Sequence, residues 1–189
     1  MRILQINDSF RPIMDGVGVC VENYAAHLAH RGCHVAVAVP AAPRLDRNAK
    51  RGTTAVETGF RSGNVYTLFR YRSLALPGWA PYRLGVPRFD VRFQRELAKW
   101  IDRIGPLDIV HSHTPFVAGH FAERIAKRTG AVHISTFHSK YRDDLRSVLH
   151  SDEWSNRIVR RLTRFYNRVN AVWAPSCATA ETLTEYGYG

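Results

Sequence analysis

The 189-residue sequence is short of the features that mark whole classes of protein. It has only three cysteines, Cys20, Cys33 and Cys177, scattered and without Cys-x-x-Cys spacing. That speaks against a disulfide framework or a structural zinc site and suits a reducing, cytoplasmic setting. No apolar run approaches the ~18 residues of a membrane span. The opening "MRILQIN" lacks the long apolar core of a secretory signal and turns polar at once. Acidic side chains are scarce too: 16 Asp plus Glu face 27 Lys plus Arg, giving a net charge of +11 in which arginine far outnumbers lysine. Such a balance calls for a polyanionic partner, whether nucleic acid, an anionic membrane surface or a phosphorylated substrate, or for an acidic complement carried elsewhere in the protein.

What is present is globular: 45% hydrophobic and 11% aromatic residues, without a low-complexity tract. The length fits one domain, residues 1–189, at ~150 residues per domain. "RILQIN" reads as a strand, and "VCVENYAAHLAHRG" places Val21, Ala25, Leu28 and Ala29 on one helical stripe stopped by Gly32. "CHVAVAVP" is a second strand, and together these make a strand–Gly loop–helix–strand unit of a parallel sheet. Residues 40–63 read as a surface loop with a short strand near Ala55–Glu57, and residues 64–71 as a strand. "LALPGWAPYRLGVP" reads as an irregular connection. A helix is expected from Arg88, with Phe89, Phe93, Leu97, Trp100, Ile101 and Ile104 as its apolar stripe. Strands follow at 107–113, 131–139 and 170–176. Between the last two lies a polar helical stretch, 141–169, with a break near Ser151. This alternation predicts an α/β fold, a doubly wound Rossmann-like parallel sheet whose ligands bind at the C-terminal ends of its strands.

Four motifs lie at those ends or on the helices behind them. "PIMDGVGV" offers Gly16 and Gly18 for backbone approach to a phosphate, although Val21 stands where a dinucleotide fingerprint needs glycine. An ordinary tight turn explains the stretch equally well. "DIVHSHTPFVAGH" carries His111, His113 and His120; the two-residue period turns His111 and His113 to one face and Ser112 to the other. With no carboxylate or cysteine beside them in sequence to complete a ligand set, no metal is expected. His113 falls at the strand tip and His111 deeper, as a hydrogen-bonded support. In "TFHSKYRDD", His138 ends the next strand as His113 ends its own, followed by Lys140, Tyr141 and Arg142. Two helices are basic on one face: Arg88, Arg92, Arg95 and Lys99 on one, Arg157, Arg160, Arg161 and Arg164 on the other. Such faces suit an anionic membrane. No nucleic-acid module with interleaved aromatics is visible, so nucleic acid is not the expected partner.

The first-loop stretch, "DIVHSHTPFVAGHFAERIAKRTGAVHISTFHSKY" and "NAVWAPSCATAETLTEYG" together resemble, in order and spacing, the N-terminal domain of the family 4 retaining glycosyltransferases. Phosphatidylinositol mannosyltransferases and diacylglycerol glucosyltransferases belong there. The resemblance covers nearly the whole chain and implies the N-terminal, acceptor-binding half of a GT-B fold. It implies that a C-terminal nucleotide-sugar-binding domain lies outside this chain, which alone would be inactive. It assigns Gly16 and Gly18 to the donor diphosphate, His113 to the transferred hexose as the catalytic residue, and His138, Lys140, Tyr141 and Arg142 to the acceptor. Transfer would retain configuration with a nucleotide-sugar as substrate and neither cofactor nor metal. The basic helices favour a lipid acceptor and a peripheral place on the inner face of the cell membrane. The sequence departs from the family's frequent pair of adjacent glycines, since Asp15 stands at the first. The competing readings are a non-catalytic basic module on a membrane or nucleic acid, and a same-fold sugar-nucleotide epimerase or phosphorylase.

Overall fold

The computed structural model describes residues 1–13, 15–41, 55–61, 63–75, 82–138, 141–142, 145–146 and 150–189. Nine strands and five α-helices run in the order β1 (Arg2–Ile6), α1 (Gly16–His30), β2 (His34–Pro40), β3 (Ala55–Arg61), β4 (Asn64–Tyr71), β5 (Ser73–Ala75), β6 (Arg83–Gly85), α2 (Val91–Ile104), β7 (Ile109–Ser112), α3 (Val117–Thr129), β8 (Val132–Thr136), α4 (Asp152–Tyr166), β9 (Ala171–Trp173) and α5 (Cys177–Glu185) among the described residues. Seven strands form one sheet in the order β3-β4-β2-β1-β7-β8-β9, parallel except for the edge strand β3.

The sheet is covered on both faces, which explains why β2 is apolar without interruption. Along it Ala36 and Ala38 point to one side, where α2 and α3 bring Phe93, Leu97, Trp100, Phe121 and Ile125. Val35, Val37 and Val39 point to the other, against Val21 and Ala25 of α1. A third cluster, around Phe137, Phe165 and Tyr166, seats α4 and α5.

Several boundaries differ from the sequence reading for local reasons. Strand β3 runs the full Ala55–Arg61 because it pairs antiparallel with β4 across a turn at Gly63, whose φ is +81°. The stretch read as irregular contributes the two short strands β5 and β6, which pair with each other. The second helix begins at Val91, not Arg88: Pro87 opens a single 3₁₀ turn, and Asp90 then caps α2 by accepting from the Phe93 N–H at 3.0 Å. Phe89 therefore leaves the predicted core stripe and is 74% exposed. The break near Ser151 is where α4 starts, with Ser151 accepting from the Trp154 N–H. No helix among the described residues is long and apolar enough to cross a membrane.

The order of strands places the functional crevice. From β1 the chain moves outward to β2 on one side, and later returns to place β7 on the other side of β1. The C-terminal ends of β1 and β7 therefore flank the point where the winding reverses, where a gap opens between successive connections.

Candidate functional site

Beyond β7 the His113 N–H donates to the Ile6 carbonyl at 3.2 Å, extending the ladder by one residue across the switch point. The side chain of His113 is fully buried there. Its Nε2 donates to Gln5 Oε1 at 3.2 Å, which leaves Nδ1 as the acceptor for the Nε2–H of His138, also 3.2 Å away. The two rings lie nearly parallel, with centroids 5.4 Å apart. Gln5 is a polar residue at 0% exposure inside an apolar strand, and its hydrogen bond to His113 accounts for half of that anomaly. Its amide Nε2 has no partner among the described residues.

The alternation expected for "HSH" is observed. His111 lies beside His113, ring centroids 4.1 Å apart, while Ser112 points through the sheet to His133 and Ser135. His111 is a support, bonded through Nε2 to Thr136 Oγ1 at 2.8 Å. Burial pushes its pKa down to about 3, with the neighbouring His138 and His133 adding to the shift. Burial likewise drives His113 well below the ordinary histidine range. His138 is lowered by burial and pulled partly back by the charge of Asp15. At neutral pH the strand-end imidazoles are thus hydrogen-bonding groups without charge.

At the strand tip His113 is buried, not open to solvent. Both of its ring nitrogens are engaged, and the half-buried His138 lies at its Nδ1. The acceptor residues expected after His138 divide. Tyr141 is a core residue, packed edge-on against Phe137 and Phe116 in the cluster that seats α4. Arg142 stacks over the Tyr186 ring at 4.7 Å, and its backbone N–H donates to the Tyr186 hydroxyl. Lys140 lies outside the described residues. His120 is exposed on α3, 3.7 Å from Glu123.

The two loop glycines also divide. Gly16 is the exposed first residue of α1, with open space where a Cβ would stand. Gly18 is buried, and its N–H already donates to Asp15 Oδ1 at 2.6 Å, the cap of α1. Asp15 therefore supplies the negative charge that a helix N-terminus attracts, so the Gly18 amide is not available to a phosphate. A Cβ on Gly18 would sit 3.1 Å from that same carboxylate oxygen, so close packing of the cap accounts for this glycine. On the face of α1 that carries Cys20 and Tyr24, the residues Gly16, Val19, Cys20, Asn23, Tyr24 and His27 line a cavity of about 410 Å³.

Sequence reasoning overlooked four participants. Gln5, Cys20 and Tyr24 reach the histidines only through the fold; Tyr24 lies 5.8 Å from His113 and 6.0 Å from Trp173, ring to ring. The fourth is Asp8, the first acidic residue after β1. Its carboxylate accepts from Thr114 Oγ1 and from the Ala118 N–H, and so caps α3, whose own N-cap Phe116 offers no side-chain acceptor. A polar residue within the run "RILQI" and an acid just past it were the signals available.

Asp8 yields a first prediction. Burial outweighs its two hydrogen bonds and raises its pKa to about 6, against about 4 for an unfolded chain. The folded protein thus binds the proton more tightly, so the associated stability is complete below pH 4 and is lost as pH rises through 6. Asp8→Asn keeps both contacts in neutral form. Urea midpoints for this variant should lack that fall, gaining about 1–3 kcal/mol relative to the parent between pH 4 and 7, with the lower end set by solvent reaching the carboxylate. An unchanged difference between the two proteins across that range rejects the assignment.

A mostly parallel sheet flanked by helices, with its crevice at the β1/β7 switch, is the architecture of a GT-B glycosyltransferase N-terminal domain. Residues 14–189 match the defining pattern of Glycosyltransferase Family 4, and the chain belongs to that family. The sucrose-phosphate synthase of Thermosynechococcus elongatus superposes with a TM-score of 0.62 at 15% identity, over 97% of this chain and 44% of that one. The catalytic domain of starch synthase IV from Arabidopsis thaliana, bound to ADP and acarbose, reaches a TM-score of 0.42 at 18% identity, over 73% of this chain and 34% of that one. No curated protein matches the sequence. The chain thus spans less than half the length of these solved structures.

Proposed function

We propose that this chain is the acceptor-binding half of a retaining glycosyltransferase that moves a hexose from a nucleotide-sugar to a membrane-associated lipid. The nucleotide-sugar is bound mainly by a second domain outside this chain, and no cofactor takes part. The observation that carries the reading is the hydrogen-bonded His113–His138 pair at the switch point, beside the α1 cavity, in a chain of this family. His138 is the imidazole that meets the sugar or its acceptor. His113 holds it in place and is itself held by Gln5. Gly16, which lines the cavity, faces the donor phosphates. The test is transfer by the polypeptide that joins this chain to its donor-binding domain. Radiolabelled hexose should move from a nucleotide-sugar into lipid extract, with the anomeric configuration of the donor; hydrolysis without transfer, or inversion, defeats the reading.

The lipid acceptor is supported by the two basic helices. Arg88, Arg92, Arg95 and Lys99 are all exposed, and Phe89 and Val91 stand exposed among them. On α4, Arg157, Arg160, Arg161 and Arg164 are exposed, and Arg157 lies over the Trp154 ring at 4.7 Å. Aromatic and aliphatic groups among arginines suit the boundary between head groups and acyl chains. Each cation near an anionic surface contributes about 1 kcal/mol, screened by salt. Sedimentation with phosphatidylserine-containing vesicles should therefore weaken from low to high salt. Reversing Arg157, Arg160, Arg161 and Arg164 to glutamate should lower the partition coefficient by at least about 10²-fold. Unaltered partitioning removes α4 from the contact.

A further inference from the structure

The sequence offers no third ligand near its histidines, but the fold supplies one. Cys20, on the second turn of α1, comes down on the strand-end pair. One ligand atom each from Cys20, His113 and His138 all lie within 4.8 Å of one another. The His113 Nδ1 to His138 Nε2 separation is 3.2 Å, close to the ~3.3 Å edge of a tetrahedron whose ligands sit about 2.0 Å from a zinc ion. The remaining ring nitrogen of His113 is bonded to the buried Gln5, as ligating histidines are when a neighbour fixes their tautomer and leaves the other nitrogen's lone pair for the metal. Cys20 also lines the α1 cavity, so one of the three ligands is reached from that space.

We propose that Cys20, His113 and His138 form a site for a zinc-class divalent cation, with His113 coordinating through Nδ1, His138 through Nε2 once its proton has moved to Nδ1, and Cys20 as the thiolate after its proton has passed to solvent. One thiolate and two imidazoles favour Zn²⁺ over Mg²⁺ or Ca²⁺, which prefer all-oxygen shells. The cation is no part of the transfer chemistry. It locks His138 onto His113 and withdraws the His138 imidazole from the sugar, so zinc acts as an inhibitor of transfer. That consequence rests on the proposed reaction centre, whereas the binding itself does not.

Cobalt is the probe, because thiolate ligation gives a near-ultraviolet charge-transfer band and tetrahedral geometry gives intense visible bands. Titration of the reduced chain should saturate at one equivalent, and Zn²⁺ should displace the cobalt. Cys20→Ser should abolish the charge-transfer band with an unchanged circular dichroism spectrum. His138→Gln should weaken cobalt binding by at least about 10²-fold, while Cys33→Ser and Cys177→Ser should leave it intact. Absence of the band at one equivalent, or its survival in Cys20→Ser, overturns the site. In the polypeptide carrying the donor domain, Zn²⁺ should suppress transfer in the parent and not in Cys20→Ser. A cobalt band accompanied by zinc-insensitive transfer upholds the metal site and removes the histidine pair from the reaction centre.

Discussion

Gly119→Ala is expected to destabilise the domain by roughly 3 kcal/mol or more. Gly119 is the third residue of α3, and a Cβ there would land on the Thr114 carbonyl oxygen and press on the Phe165 ring, 2.8 Å from Cζ. A ring tip can rotate, but the carbonyl cannot easily yield. Thr114 is tied through its hydroxyl to Asp8, and Asp8 is tied to the start of the same helix. Relief would come from sliding α3 away from the β7 loop, which separates Ala118 and Ala122 from the core they fill. Thermal unfolding should show a fall on the order of 10 °C, given a few degrees per kcal/mol for a domain of this size. A midpoint within 2–3 °C of the parent would mean that α3 is not held where the packing puts it. Because Thr114 follows His113 directly, a protein that survives the substitution should also bind ligand at the crevice less well.

The layered α/β plan was legible in the sequence because alternating strands and helices carry their own periodicity. Both faces of β2, the α1 stripe of Val21 and Ala25, and the break at Ser151 all follow from local pattern. Less legible were boundaries decided by a single cap. Asp90 takes the start of α2 away from Arg88, and nothing in the charge periodicity there distinguishes a 3₁₀ turn from the helix after it. The site was legible in one dimension and hidden in three. The shared face of His111 and His113 follows from strand geometry alone. That His113 is walled in by Gln5 on one side and His138 on the other depends on the register of β1 against β7 and of β7 against β8. Cys20 is far from His113 in sequence, so the spacing argument against a metal site had no access to it. At Gly18 the hidden feature is the cap: the amide of this loop glycine donates to the carboxylate three residues before it.

The proposed centre makes its sharpest prediction at His113. In the polypeptide carrying the donor domain, His113→Ala should lower kcat by roughly 10²-fold, the usual cost of losing one positioned hydrogen-bonding group at a reaction centre. KM should change little, because His113 is buried behind His138 and need not touch the ground-state acceptor. The two amide substitutions separate its functions. Asparagine places an oxygen near the position of Nδ1 and can still accept from the His138 N–H, so His113→Asn should recover part of the lost rate. Glutamine reaches toward the position of Nε2 and keeps only the bond to Gln5, so His113→Gln should stay near the alanine value while being more stable than it. In alanine, the Gln5 carbonyl loses its partner beside an amide nitrogen that has none among the described residues, a loss of about 1–3 kcal/mol in stability. Recovery by glutamine but not asparagine would make the bond to Gln5, not the one to His138, the contact that matters. Full activity in His113→Ala would leave the pair as packing and remove it from the chemistry.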